Sequence, residues 1–307
     1  MPILPALVGL YGFFTLASFV RPARWPAELL THLRLQLVAA GLVGAALCLL
    51  SGERWEWAGI ALGLSLVHVG ALPDRQWSKP EERLLASPGL TVVWANVWQK
   101  RGPLERTLAW AQEQNADVII IGEFPEASPA DLLIGDYPHR IDTGPAPNRS
   151  YAVRMVAFSR IPFERADVLQ GPGPMVRPFL TMKVAVGGKA ISVVGVHPVP
   201  PYKPGLLKER DAHIGMLAPL LKGAFVLAGD FNATPWCSGY AAIPGRRIGA
   251  YLLKPTWLSN MPIIGLPIDH IMASTDMKAS LYRVASSLGS DHRAILARVH
   301  PPAGVGA

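Results

Sequence analysis

Apolar and polar positions follow two different rhythms along the chain, with the change near residue 85. Before it lie three uncharged apolar stretches, Ile3 to Val20, Leu35 to Leu50 and Trp57 to Leu72. Each approaches the ~20 apolar residues needed to cross a bilayer core. None keeps the polar face that a helix on the surface of a soluble bundle shows. The pattern therefore predicts three transmembrane helices, with a soluble helical bundle as the alternative. Trp25, Trp55 and Trp57 stand near the predicted ends, where indole rings settle at headgroup level. No Lys or Arg precedes the first stretch. It lacks the cationic start of a cleaved signal peptide and reads as an uncleaved anchor.

After Leu90 the rhythm shortens to β-branched runs of strand length: LTVVWANV, DVIIIGEF, RMVAFSRI, FLTMKVAV, AISVVGVH, AFVLAGDF, PIDHIMAS and AILARV. Between the first two, Leu104, Leu108 and Ala111 recur at helical spacing, and a second helix is predicted from Leu206 to Leu221. Strands with interspersed helices and many Pro/Gly loops imply an α/β sandwich. The polar stretch from Leu72 to Leu90, with three prolines, reads as a linker. The expected organisation is a membrane anchor over residues 1–73, a linker over 74–89 and a catalytic domain over 90–307. No internal repeat or low-complexity tract is present.

Composition sharpens this picture. Half of the residues are hydrophobic and 17% are charged, with a mean hydropathy of +0.26, greasier than an ordinary soluble enzyme. Basic residues count Arg21, Arg24 and Arg34 in the first connection, Arg54 in the second, and Arg75, Lys79 and Arg83 after the third stretch. This places the carboxyl-terminal part on the cytoplasmic side of the cell (inner) membrane by the positive-inside rule, in a multi-pass protein whose partner is the lipid bilayer. From residue 85 onward there are 22 Lys or Arg against 16 Asp or Glu. That excess suits phosphate-bearing partners, an anionic surface or simply a solvated face. Two cysteines, Cys48 and Cys237, make neither a disulfide framework nor a metal cluster.

The candidate chemistry lies at the ends of the apolar runs. Asn96 ends TVVWAN, Glu123 ends VIIIGE, His197 ends SVVGVH, and Asp230 and Asn232 end FVLAGDFN. Asp269 and His270 follow LPI, and Asp291 with His292 stands before AILARV. Singly, each has an ordinary explanation: a turn, a cap or a satisfied buried histidine. Together they predict one cleft, because strand ends in layered α/β folds converge on one rim. Gly229 is expected to let the backbone turn, and Phe231 to point into the core by strand alternation, so that Asp230 and Asn232 share a face. Carboxylates and amides without thiolates are hard donors suited to Mg²⁺, with Mn²⁺ or Ca²⁺ as possibilities. Histidines beside them supply proton exchange and phosphoryl hydrogen bonds. Phosphoester hydrolysis needs this combination.

WANVW, IIIGEF, VVGVHP, LAGDFNATPW, IDHIM and GSDHRAIL, in that order, resemble the endonuclease/exonuclease/phosphatase superfamily, in particular its bacterial branch with amino-terminal membrane helices. The resemblance spans about Leu90 to Val299 and implies a four-layer α/β sandwich, two packed mixed sheets flanked by helices. It also implies roles. Glu123 is the principal metal ligand, and Asn96 and Asp291 complete the metal and phosphate environment. Asp230 orients or deprotonates the attacking water, and Asn232 holds a phosphate oxygen. His292 contacts the scissile phosphate with its ring set by Asp269, and His197 is a second phosphate donor. A supporting glutamate that the family sometimes places beside this histidine is not evident. The expected function is a membrane-anchored, divalent-metal-dependent phosphoester hydrolase of phosphodiesterase or nuclease type, using metal-activated water. Nucleic acid, phospholipid and inositol phosphate stay open as substrates. The alternatives are a lipid or inositol head-group phosphatase of phospholipase C type and a non-catalytic tethered binding module. The Pro-rich VPPYKPG run, Trp236 and Trp257 are candidates for a specificity wall. No protein partner is implied.

Overall fold

A computed structural model describes residues 3–20, 25–52, 55–72, 77–126, 134–144, 153–173, 177–249 and 254–302. Arg21, Arg24, Arg54 and Arg75, which entered the count of basic residues, lie outside them.

The first four elements are helices: α1 (Ile3–Ser18), α2 (Ala27–His32), α3 (Arg34–Leu50) and α4 (Trp55–Gly70). The expectation of three transmembrane helices is not met, since no helix among the described residues is long and apolar enough to cross a membrane. α1, α3 and α4 have 16, 17 and 16 residues, about 24 to 26 Å at ~1.5 Å per residue, against ~30 Å of hydrocarbon core. The multi-pass membrane location and the bilayer partnership inferred from those spans fall with them. Charge and hydropathy alone hid a polar seam between the helices. Tyr11 Oη lies 3.3 Å from Ser65 Oγ, and His68 Nε2 lies 3.1 Å from Thr15 Oγ1. Val8, Ala45, Cys48, Ala58 and Ala61 pack beside that seam, while Leu7, Phe13, Leu47 and Leu66 face outward.

The remainder runs β1 (Trp77–Ser78), β2 (Leu90–Asn96), α5 (Arg101–Glu113), β3 (Val118–Gly122), β4 (His139–Asp142), β5 (Val156–Ser159), β6 (Phe163–Leu169), β7 (Phe179–Val186) and β8 (Lys189–Val196). It continues through α6 (Pro204–Gly215), α7 (Leu217–Leu220), β9 (Phe225–Asp230), β10 (Arg246–Ile248), β11 (Asp269–Ala273), β12 (Lys278–Val284) and β13 (Ile295–His300). Two mixed sheets result, one ordered β1-β10-β11-β9-β8-β7-β6 and the other β12-β13-β2-β3-β5-β4. The α/β sandwich expected from the strand pattern fits this architecture.

Alternation explains the layers. On β2, Leu90, Val92 and Trp94 join Ile120, Val193, Val226, Ala228 and Ile271 between the sheets. Val93 and Ala95 point the other way, onto Leu104 and Ala111 of α5. Val194, Val196 and Leu227 likewise back onto Ile214 and Leu217, from α6 and α7. Strands buried on both faces read as continuous apolar runs, as β2, β3, β5, β9 and β11 do, whereas β7 exposes alternate residues such as Lys183 and Ala185. Residues 74–89, expected as a linker, include β1, which pairs with β10.

Candidate active site

Register brings the candidate residues to one rim. The parallel pair β2 and β3 sets Asn96 beside Gly122, so that Asn96 and Glu123 leave the sheet together. The parallel pair β8 and β9 matches Val196 with Gly229, which puts His197 next to Asp230. Antiparallel β11 sets Asp269 directly against Asp230. Asp291 and His292 arrive on the turn before β13, which pairs with β2.

Close contacts follow from that placement. Asn96 Nδ2 donates to Glu123 Oε1 at 3.0 Å, and Trp98 N donates to Asn96 Oδ1 at 3.0 Å. His197 Nε2 lies 3.3 Å from Asp230 Oδ2 and 3.9 Å from Glu123 Oε1. His292 Nε2 lies 3.8 Å from the same Asp230 oxygen. His292 Nδ1 lies 2.9 Å from Asp269 Oδ2. Glu123, His197, Asp230, Asn232, Asp291 and His292 line one cavity of about 550 Å³. Asn96 and Asp269 are buried and bond the lining residues Glu123 and His292. His270 is separate: its Nε2 pairs with Ala233 O at 2.8 Å.

The backbone reaches this geometry differently from a simple alternating strand. Gly229 is needed because a Cβ there would overlap the Val196 carbonyl oxygen of the adjacent strand. The bend comes afterwards, where Asn232 adopts φ 48° and donates its backbone N–H to Asp230 Oδ1 at 2.9 Å. Asp230 is thus both a turn former and a lining residue of the cavity. Phe231 is fully buried, as expected. Glu123 also sits at positive φ, 52°, a conformation that costs about 1 to 3 kcal/mol and concentrates at functional sites.

Burial disfavours charge on both central groups, and their neighbours outweigh it. The hydrogen bond from His197, with the charges of His292 and His197, holds Asp230 down at about 2. Burial likewise opposes the imidazolium of His292, but the charge of Asp269 and its hydrogen bond, then Asp230 and Asp291, push it up to about 10. At neutral pH the site holds a carboxylate and an imidazolium in contact.

Several contributors had escaped the sequence reading. Trp94 donates its indole N–H to Asp269 Oδ1 at 2.8 Å, completing a chain from Trp94 through Asp269 to His292. Ser290 Oγ donates to Asn96 O at 2.7 Å and accepts from His292 N at 3.1 Å, tying β2 to the turn that carries His292. Thr256 Oγ1 accepts from the backbone of Asp269 at 3.1 Å. Arg177, 5% exposed, also lines the cavity; burial lowers it to about 10 against the pull of Glu123 and Asp230. Its signal in the sequence was a lone arginine before an apolar run, which distinguishes nothing. Leu29, His32 and Leu33, from α2 and the residue after it, line the cavity as well. Of the suggested specificity wall, Pro200, Pro201, Tyr202 and Trp257 line it, whereas Trp236 Nε1 donates to His32 O at 3.3 Å.

Among the described residues, two groups bring ligand atoms mutually within 4.8 Å: Asp230, Asp269 and His292, and separately Glu28, His32 and Cys237. In the second group Glu28 is already paired with Arg210 at 3.0 Å. Around the cavity, by contrast, Glu123, Asp230, Asp269 and Asp291 face two resident cations, His292 and Arg177. The excess of hard anionic donors fits a divalent cation.

A family model described as Endonuclease/Exonuclease/phosphatase family matches residues 93–292. No curated protein matches the chain in sequence. Among solved structures, an endonuclease/exonuclease/phosphatase from Beutenbergia cavernae DSM 12333 is similar with TM-score 0.51 and 16% identity, covering 70% of this chain and 72% of its own. A D. rerio TDP2 humanized by 14 mutations gives TM-score 0.55 and 13% identity, over 69% of this chain and 99% of its own. A mannosyl-6-phosphatase from Bacteroides thetaiotaomicron gives TM-score 0.53 and 18% identity, again over 69% and 99%. At these identities the likeness is one of fold.

Proposed function

Since the chain belongs to the endonuclease/exonuclease/phosphatase family, whose members are phosphoester-acting hydrolases, we propose that it hydrolyses a phosphoester with the help of a divalent cation, Mg²⁺ in the first instance. The catalytic unit in this reading is residues 90–307. The observation that carries it is the single Asp230 oxygen that meets both His197 and His292, at 3.3 and 3.8 Å, in a cavity that Glu123 and Asp291 share.

Glu123, with Asn96 bonded to its carboxylate and Asp291 on the same cavity wall, would hold the cation. When bound, it neutralises phosphoryl charge and lowers the pKa of water beside it. The protein's own groups divide the remaining work. Asp230, kept ionised, accepts a hydrogen bond from the attacking water and aligns it. His292, kept protonated, donates from Nε2 to a phosphoryl oxygen as negative charge builds there. Its ring cannot turn away because Asp269 holds Nδ1 and Trp94 holds Asp269. His197 and the Asn232 amide add donors, although one N–H of that amide is already taken by Pro198 O at 3.0 Å.

The test is turnover of a phosphoester panel by the purified protein with Mg²⁺, before and after chelation. Asp230→Ala and His292→Ala should each lose on the order of 10²- to 10⁴-fold in kcat with the folded circular dichroism spectrum retained. Near-normal metal-dependent turnover in both folded variants would overturn the assignment.

A further inference from the structure

The cavity has two unlike halves. One is the charged rim just described. The other is apolar and includes Leu29, Leu33, Trp257, Leu266 and Ile268. Leu29 belongs to α2 and Leu33 directly follows it, and both lie outside the region matched by the family, residues 93–292. This stretch of the cavity wall is therefore supplied by residues outside the family match.

That wall is built in rather than resting loosely on the surface. Glu28 and Arg210 form an ion pair at 3.0 Å with both side chains 0% exposed. Ser238 Oγ donates to the same Glu28 oxygen at 2.9 Å. His32 Nδ1 lies 3.2 Å from Thr234 Oγ1, in the loop that follows Asp230 and Asn232. Farther along, Gln36 Nε2 donates to Gly265 O at 3.1 Å, joining α3 to the segment of Leu266. α2 is thus fastened to the loop of the active site, and α3 to the segment of Leu266.

A cavity of about 550 Å³ has the size of a small-molecule site. Single-strand nucleic-acid sites instead offer a cationic groove with stacking platforms, whereas here the aliphatic Leu29, Leu33, Leu266 and Ile268 share the lining with the charged residues, and Arg177 is, among the described residues, its one Lys or Arg. We propose that α2 makes this an enzyme for small amphiphilic phosphoesters: the phosphate seats at the charged rim and an apolar substituent lies against Leu29, Leu33 and Leu266. The chemistry of the cleaved bond rests on the hydrolase reading above, whereas the apolar subsite can be tested without turnover.

Two measurements on the full chain separate them. In the first, calorimetry with Mg²⁺ compares inorganic phosphate, methyl phosphate and octyl phosphate, each below its aggregation concentration. Octyl phosphate should bind at least tenfold tighter than methyl phosphate, since each buried methylene contributes up to about fourfold. In the second, kcat/KM is measured for p-nitrophenyl methyl, butyl and octyl phosphodiesters beside a single-stranded oligonucleotide and a DNA duplex. The value should rise with chain length, and both nucleic acids should be poor substrates. Leu29→Ser and Leu33→Ser should compress the octyl-to-methyl ratio severalfold. Leu266→Ser, outside α2, provides the same readout if α2 variants fail to fold.

Flat binding and rate series, an unchanged ratio in the folded variants, or a nucleic acid cleaved more efficiently than the octyl ester would overturn the subsite. Chain-length-dependent binding with no turnover of any ester would leave the subsite standing and overturn the hydrolase reading. A flat series with metal-dependent turnover would do the reverse.

Discussion

At the scale of single residues, a hydrogen-bonded chain runs from Trp94 through Asp269 to His292, the hydrogen-bond donor to a phosphoryl oxygen in the proposed mechanism. Trp94 is fully buried between the sheets, and its N–H is the donor to Asp269 Oδ1. Trp94→Phe keeps most of the packing and leaves that oxygen without its donor. The expected cost is about 1 to 3 kcal/mol in denaturant unfolding, with a lower kcat and little change in KM, because the residue positions the Asp269–His292 pair and touches no substrate. Trp94 was unreadable beforehand because the contact joins positions 175 apart, and a tryptophan in an apolar run reads as core. Asp230 and Glu123 were legible for the opposite reason: an acid ending a buried strand is costly unless something uses it. His213 carries a separate prediction. It is buried against Phe179, ring centroids 4.2 Å apart, and burial, with Arg177 and His197, lowers it to about 3. The unfolded chain binds this proton near the ordinary value of 6.5 and the folded chain does not. Its stabilising contribution is complete above pH 6.5 and is lost as pH falls toward 3. Between pH 6 and 4, His213→Leu should reduce the pH slope of unfolding free energy by about 1.4 kcal/mol per pH unit; an unchanged slope would refute this.

At the scale of elements, long buried strands announced themselves and short or half-exposed ones did not. β2, β3, β8 and β9 are wholly or largely buried and appear as apolar runs. β1 and β10 have 2 and 3 residues, too few for a period. β6, FERADVL, is mostly exposed or half-buried, so its polar letters resemble a loop. α2 escaped for a related reason: six residues, AELLTH, give little periodicity, and its position is decided by the partners of Glu28. Glu28→Ala would remove one partner of the buried Arg210 guanidinium, leaving Asp211 at 2.8 Å and the Asn232 carbonyl at 3.2 Å. A loss of about 1 to 3 kcal/mol is expected, with faster amide exchange concentrated in α2, and Glu28→Gln should lose less because it keeps an acceptor for Ser238. Exchange unchanged in α2 would show that the ion pair does not hold the wall.

At the scale of the whole molecule, a cation bound only by the folded state must stabilise it. The unfolding free energy should rise with Mg²⁺, by about 2.7 kcal/mol at a hundred times the dissociation constant, and Glu123→Ala should remove the dependence. Equal Mg²⁺ response in both proteins would exclude Glu123 as a ligand. Global reading of the chain succeeded for the sandwich and failed for the amino-terminal helices. Strand burial on two faces leaves a mark on consecutive letters, whereas spanning a bilayer depends on where each helix ends, and α1, α3 and α4 end after 16, 17 and 16 residues. The order of residues by itself determined which segments must be buried, where their strands end and which polar groups stand at those ends, because these are local consequences of alternation and desolvation. Only the tertiary structure decided that those ends share one cavity, that His197 and His292 meet one Asp230 oxygen, and that Arg177 and α2 add to the lining, because strand register and long-range contacts bring together groups that no local period relates.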